Sequence, residues 1–393
     1  MLAQKGYDVL VLEQQRFPRF SIGESLLANS MQLLDEAGMI EAVMARGYQF
    51  KNGASFVRGE MHSEFNFAEK ITPGYPFAFQ VPRADFDQTL ANESERHGAK
   101  IRYEVEITAA DMSGDRPLLT SRSADGEVET HRPRFVLDAS GFGRTLPRLL
   151  ELDKPSTFPT RAALFCHVKD NIVSGQFDRQ KIRIGVNPTH RDVWSWVIPF
   201  SDGNSSIGIV ASQERHATHT GTHEERLWAL TADEPRMREL LANAHVVRPV
   251  GELVGYAASV KSLHGPGFAL LGNAAEFLDP VFSSGVTIAL QSAKLAATAL
   301  DRQFRGACVD WQAEYADALM FGVETFRTFV TAWYDLSLQD VIFAKNNFPN
   351  GPIHRMICSI LAGYVWDPKN PYNGPQSSRR VRSLAQTCRG AAQ

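Results

Sequence analysis

One stretch constrains this chain more than any other: Gly267-Phe-Ala-Leu-Leu-Gly-Asn-Ala-Ala-Glu-Phe-Leu-Asp-Pro-Val-Phe-Ser-Ser-Gly-Val286. Phe268 to Leu271 is a short apolar run, the pattern of a buried strand. Gly272-Asn273-Ala274-Ala275 interrupts it with small residues, which let backbone approach a ligand closely. Asp279-Pro280 turns the chain. Ser283-Ser284-Gly285 opens a long helix, with the serines offering caps. Thr287 to Phe304 then carries an apolar stripe. Strand, small-residue loop and helix N-terminus together present free N–H groups and a positive dipole end, a seat for an anion or a phosphate-bearing cofactor. Tight packing is the competing reading of the same small residues.

The rest of the chain has room for such a site. Its 393 residues suffice for two or three domains around one large core. At 44% apolar and 22% charged it has the balance of an ordinary globular enzyme. A net charge of −3 points to neither nucleic acid nor an anionic membrane. No apolar run approaches the ~18 residues that suggest a membrane span, and Met1 to Glu13 lacks a secretory pattern. Cys166, Cys308, Cys358 and Cys388 are scattered, without CxxC or metal spacing. Reduced thiols, no metal site and a cytoplasmic location are the expectation.

In chain order, Met1 to Gly6 reads as a last helical turn and Tyr7 to Glu13 as a buried strand ending in an acid. Such an acid holds the ribose hydroxyls in dinucleotide-binding folds. The first strand and glycine-rich turn of that fold belong about 20 residues upstream, before Met1. The expectation is therefore a nucleotide domain without its first strand, through an upstream start or a truncated copy. Phe17 to Ser30 reads as a loop containing Gly23-Glu24-Ser25. Asn29 to Arg46 reads as one amphipathic helix with Met31, Leu34, Ile40, Val43 and Met44 inward, stopped by Gly47. Lys51 follows in a short strand and, taken alone, is a solvated charge.

Arg83 and Asp85 precede a helix over Phe86 to His97; a helix-end ion pair is one reading of Arg83. A β-meander is expected over 101–134, then a buried strand from Phe135 into Asp138 and Gly141. From Thr157 to Val260 strands dominate. Trp194 and Trp196, two apart, share one strand face, as a core aromatic pair would. Residues 305–375 are helical and aromatic, either core or the roof of a hydrophobic channel. Beyond Asp367 the chain is basic and acid-free, and 376–393 reads as a frayed, disordered tail; docking an acidic carrier protein is the alternative.

Several of these strings together resemble the flavin-dependent halogenases among the flavoprotein monooxygenases, over about residues 1 to 300. The WxWxIP string at Trp194, Trp196, Ile198 and Pro199 is the most specific. It joins the anchor stretch, the Gly23-Glu24-Ser25 loop, the Lys51 strand, the Val81-Pro-Arg83 string and the Asp138-Ala-Ser-Gly141 segment. The resemblance implies an α/β, FAD-binding, two-domain fold of the flavoprotein monooxygenase (glutathione reductase) type. An FAD domain would comprise 1–156 and 261–304, a β-rich substrate-side domain 157–260, and a helical C-terminal region 305–375.

It further implies that Glu13, Gly23, Glu24, Ser25, Arg83, Asp138, Gly141, Gly272, Asn273, Asp279, Gly285 and Val286 contact FAD. Asn273 stands where the family carries Asp. Ser284 and Gly285 would bind halide, and the four WxWxIP residues would wall organic substrate from the flavin. Lys51 would be the catalytic lysine, presenting hypohalous acid or a haloamine across a tunnel from the flavin. Tryptophan halogenases carry Glu-Ser after the Asp-Pro; Phe282-Ser283 here resembles the phenol and pyrrole branch. The implied partners are a flavin reductase supplying FADH2, halide, and an electron-rich aromatic, free or tethered to a carrier protein. A non-halogenating monooxygenase or double-bond reductase of the same fold, and a remnant that no longer holds FAD, are the alternatives.

Overall fold

In the computed structural model, residues 1–156, 158–344 and 351–390 are described. Thr157, residues 345–350 and the last three residues of the expected tail lie outside them. A 3-10 turn at Ala3–Lys5 is closed by Gly6 at φ 84°. There follow β1 (Leu10–Glu13), α1 (Ala28–Glu36), α2 (Ile40–Met44), β2 (Gln49–Lys51), β3 (Gly53–Arg58), β4 (Met61–Asn66) and β5 (Ala78–Gln80). Then come α3 (Arg83–Arg96), β6 (Lys100–Tyr103), β7 (Val105–Asp111), β8 (Leu118–Ser123), β9 (Val128–His131), β10 (Val136–Asp138), α4 (Thr145–Leu149) and β11 (Asp153–Lys154). The central part holds β12 (Arg161–Lys169), β13 (Lys181–Val186), β14 (Trp194–Pro199), β15 (Asn204–Ser212), α5 (Gln213–His216), α6 (His223–Ala232), α7 (Pro235–Leu240) and β16 (His245–Val254). The last part holds β17 (Ser259–Val260), β18 (His264–Gly265), β19 (Phe268–Leu270), α8 (Ser284–Phe304), α9 (Ala318–Tyr334), α10 (Ser337–Ile342), α11 (Pro352–Leu361) and α12 (Ser377–Gly390).

A seven-stranded sheet in the order β16-β12-β15-β14-β13-β3-β4 forms the main wall. Along β14, Trp194, Trp196 and Ile198 face a large core shared with Phe56, Phe282 and Trp333. Val197 faces the other way, into a second core with Ile207, Ile209 and the α6–α7 residues Leu227 and Met237. Both faces are covered, so these strands read as nearly unbroken apolar runs. The sheet also corrects the expected division of the chain. Its strands β3 and β4 come from residues 53–66, and β13 runs parallel to β3 with Lys181 opposite Gly53.

The nucleotide side is smaller: β1 pairs parallel with β6, and β10 pairs parallel with β19. Among the described residues β1 has β6 as its one partner. That is why Leu10 and Val11, expected to be buried, are 45% and 39% exposed. The helix expected over 29–46 is two helices, broken where Gly38 adopts φ 71°. The expected frayed tail is also corrected, because residues 377–390 form α12. Val381, Leu384, Ala385 and Cys388 recur at helical spacing and are buried with the α9 and α10 side chains. The basic composition after Asp367 concealed that stripe.

Among the described residues no helix is long and apolar enough to cross a membrane. No group of His, Cys, Asp and Glu there could hold a metal ion.

Candidate functional site

Lys51 ends β2, opposite Ala78 of β5. It is 1% exposed, the reverse of a solvated surface charge. Its Nζ donates to the Leu26 carbonyl at 2.8 Å and lies 5.3 Å from the centroid of the Phe67 ring. Among the described residues no carboxylate pairs with it. Burial without a counter-charge pushes the amine down to about 7. A lysine there is poised between its charged and neutral forms at neutral pH.

The segment Gly23-Glu24-Ser25 docks on the other edge of β5. Leu26 N donates to Phe79 O at 3.0 Å and Val81 N to Glu24 O at 2.7 Å, flanking a Ser25–Gln80 bridge. The Glu24 side chain is buried and hydrogen-bonded to Nε2 of His167 on β12. Sequence reasoning missed His167, which carries no local signal. Arg83 makes the helix-end pair, its Nε donating to Asp87 at 2.8 Å. Its Nη1 also donates to the carbonyls of Ile22 at 2.8 Å and Gly23 at 3.2 Å. Arg83 therefore clamps the loop, where Gly23 holds φ 98°.

The anchor stretch folds as strand, loop and helix, with two corrections. The helix begins at Ser284 rather than Thr287, and Ser283, at φ 56°, makes no side-chain cap. Ser284, Gly285 and Val286 thus form the first helical turn, whose N–H groups have no intrahelical acceptor. Gly272 is needed for packing: at φ 52°, an added Cβ would lie 2.8 Å from the Ala289 side chain. Its N–H donates to Ser292 Oγ at 3.0 Å. The Asn273 carbonyl accepts from Arg144 at 3.2 Å.

Farther along the nucleotide side, Asp138 accepts from the N–H groups of Ser140 (2.8 Å) and Leu146 (2.7 Å). It therefore caps α4. Gly141 turns the chain at φ 60°. Glu13 accepts from Gln15 N at 2.8 Å.

Asp279 lies in a closed knot. Tyr334 donates to its Oδ2 at 2.8 Å, Tyr256 to the same atom at 3.1 Å, and Val281 N to Oδ1 at 3.0 Å. Trp194 Nε1 donates to Tyr334 Oη at 3.0 Å, so the knot ties the WxWxIP strand to the anchor loop. Burial raises the Asp279 carboxyl and, with the carboxylate beside it, drives both phenols well above their usual range. Arg161 stacks on the Tyr334 ring at 4.4 Å. It lines, with Tyr256 and Asp279, a cavity of about 300 Å³.

The two indoles lie 5.8 Å apart, tilted 44°. Trp196 Nε1 donates to Ser206 Oγ at 3.1 Å. Its ring occupies the space over Gly208, where a Cβ would come within 2.2 Å. Ile198 and Pro199 continue the buried strand.

One apolar cluster holds Leu27 and Phe67 beside Lys51, both indoles, and Val281 and Phe282 before α8. Asp138 adjoins the anchor stretch, its carbonyl accepting from Leu271 N at 2.8 Å, and the turn at Gly141 packs on the Gly272–Ala274 turn; Glu13 sits on the separate β1–β6 pair. The expected tunnel is not among three cavities of the molecule, none of which Lys51 lines.

With this geometry in hand, comparison with known proteins is informative. Residues 61–360 match the family described as tryptophan halogenase. The chain belongs to the tryptophan halogenase family. It is 28% identical over 348 residues to a tryptophan 2-halogenase of Chondromyces crocatus, covering 85% of this chain and 63% of that protein. It is 26% identical over 394 residues to a 1H-pyrrole-2-carbonyl-(peptidyl-carrier protein) chlorinase of Pseudomonas fluorescens, covering 94% and 86%. A solved flavoprotein/dehydrogenase of Cytophaga hutchinsonii is 42% identical, with a TM-score of 0.95 over 100% of this chain and 95% of that one. The tryptophan halogenase family binds FAD, and the α/β fold of its flavoproteins extends over this whole chain.

Proposed function

We propose that this protein is an FAD-dependent halogenase acting on an electron-rich aromatic of phenol or pyrrole type. The observation that carries this reading is Lys51: an unpaired amine, buried beside the core that holds both indoles and the start of α8. A structural lysine has no reason to accept that desolvation.

The donor set suits a flavin ring and its ribityl chain. Among the described residues no hydrogen bond is made by the Asn273 side chain, whose Oδ1 borders Gly285. The first-turn N–H groups of Ser284, Gly285 and Val286 form the positive end of α8, which suits halide and the flavin edge. Arg83 fixes Ile22 and Gly23 through their carbonyls, and Glu13 stands where an adenosine ribose would be met. FAD, when bound in reduced form, supplies the oxygen chemistry that turns halide into hypohalous acid. Trp194 and Trp196 exclude the organic substrate and water from that space. Lys51, near its midpoint at neutral pH, hydrogen-bonds hypohalous acid when protonated or holds the halogen as a haloamine when neutral.

The reductant would come from a separate flavin reductase. The pyrrole relative's name supports a carrier-tethered substrate as one form of the aromatic. Free thiols on all four cysteines fit a cytoplasmic setting. The test supplies reduced FAD, bromide or chloride, and a phenol and pyrrole panel, reading product mass. Wild type should halogenate and Lys51→Ala should lose roughly a thousandfold, the middle of the range for one acid–base group. A Lys51→Ala protein with native turnover would refute the assignment.

A second reading, a non-halogenating flavin oxidoreductase, is favoured by the likeness to the Cytophaga flavoprotein/dehydrogenase. Substrate turnover that ignores halide would select it.

A further inference from the structure

Register places more than Lys51 on its face of the ribbon. Lys51 stands opposite Ala78 and Gln49 opposite Gln80 across β2–β5. Paired residues on an antiparallel ladder share a face, as do residues two apart along a strand. Lys51 and Gln80 are therefore diagonal neighbours on one face, about 7 Å apart at the backbone and within reach of long side chains. On the other edge of β5, Ser25 pairs with Gln80. Its flanking hydrogen bonds mark this as the narrow kind of antiparallel pair, with side chains drawn close. Lys51, Gln80 and Ser25 thus project to the same side.

All three are buried, at 1%, 0% and 4% exposure. Gln80 Nε2 is committed to the Arg179 carbonyl at 3.2 Å, which leaves Oε1 as its free end. Among the described residues, that Oε1 and Ser25 Oγ are buried without a hydrogen-bond partner. An ammonium at Lys51 has three N–H donors, and Leu26 takes one. Orphaned buried polar atoms are costly and rare; two beside an unpaired buried amine form a preorganised set.

We infer that Ser25 and Gln80 are positioning residues that, with Lys51, receive a small hydroxylated oxidant. This rests on the halogenase reading. Gln80 Oε1 accepts only, so its ligand must carry a donor hydrogen; spare N–H on Lys51 calls for a ligand that also accepts. Hypohalous acid meets both demands. Its proton points to Gln80 or Ser25, its oxygen accepts from Lys51, and its halogen is left to face the aromatic.

The transfer then balances. A ring π pair forms the C–X bond, and the O–X bond breaks with its pair on oxygen. Lys51 protonates the departing hydroxide to water, and the neutral amine takes the proton released as the ring rearomatises. The halogen is reduced and the ring carbon oxidised by the same electron pair. In this account Gln80 and Ser25 hold the oxidant's orientation and prevent its escape.

Two measurements test this. In turnover, taurine traps escaping oxidant, and the ratio of halogenated product to trapped oxidant is read. Gln80→Met should lower that ratio about tenfold, the usual worth of one buried hydrogen bond. Ser25→Ala should lower it less, and Ser25→Thr, which keeps the hydroxyl, should restore it. Separately, flavin-free protein receives one equivalent of hypobromite, and peptide mass spectrometry reads halogen captured at Lys51. Capture should fall in Gln80→Met and Ser25→Ala and persist in Ser25→Thr.

Wild type that forms neither product nor trapped oxidant overturns the halogenase reading, while the capture measurement still judges the cage. Unchanged ratio and unchanged capture in Ser25→Ala and Gln80→Met overturn the cage itself. Ser25→Ala removes an atom that bonds to nothing, so it keeps the test open should Gln80→Met fold poorly.

Discussion

Two buried ionisable groups border the same core, and they are treated in opposite ways. Asp279 receives three hydrogen bonds, from Tyr334, Tyr256 and the Val281 amide, and Trp194 extends the chain by one more. Lys51 makes one bond, to a backbone carbonyl, and its ribbon neighbours Ser25 and Gln80 keep orphaned oxygens. A fully satisfied knot rigidifies a fold. An under-satisfied cluster costs stability and is kept where chemistry needs it. The contrast separates scaffold from site within a few strands of each other. It also gives Asp279, which the resemblance counts as a flavin contact, the task of joining the indole strand with the anchor loop.

The comparison breaks most sharply at Asp279→Ala. Two phenols and an amide lose their acceptor, and urea unfolding should report a loss of about 5 kcal/mol. A loss under 1 kcal/mol would mean that the knot is ornamental.

Lys51→Met should move the other way. The buried lysine has its pKa depressed from 10.5 to about 7. Below pH 7 both folded and unfolded chains hold the proton, and folding bears the whole cost of the buried charge. Between about 7 and 10.5 the unfolded chain binds more protons, so wild-type stability from this group rises with pH. Lys51→Met should therefore stabilise by on the order of 4 kcal/mol at pH 6, and by much less at pH 9.5. Melting curves at the two pH values decide it; an advantage that does not shrink with pH contradicts the depressed pKa.

Tyr334→Phe removes one donor to Asp279 and the acceptor for Trp194, and should cost about 2 kcal/mol in urea. The smallest effect is expected at Arg83→Lys, whose single nitrogen lacks the planar fork that spans Asp87 and two carbonyls. The loosened loop should weaken FAD binding by about 1 kcal/mol in a fluorescence titration. Unchanged affinity would detach Arg83 from the cofactor side.

How much of this was legible in the sequence depended on distance along the chain. The strand–loop–helix of the anchor stretch was local and was read almost residue by residue. So was the common face of Trp194 and Trp196, since period two needs only a strand. Lys51 is different: its residues say surface charge, and only resemblance placed it in the core. The knot was illegible because Tyr256, Asp279, Tyr334 and Trp194 meet from four separate segments. His167 against Glu24 was hidden for the same reason. The first-turn serines misled because Ser283 enters the left-handed region, where its hydroxyl misses the helix amides. Helix α12 was concealed by composition, its arginines interleaved with a stripe of only a few apolar residues.

The parallel pairing of β3 with β13 has a consequence for how this molecule is born. On the ribosome, residues 53–66 emerge early as a hairpin whose neighbour strand, residues 181–186, has yet to be translated. Its apolar side must wait, exposed, while the intervening segment is made, a delay that favours chaperone capture over independent collapse. For the same reason a recombinant fragment cut at residue 157 inherits a sheet with one edge laid bare.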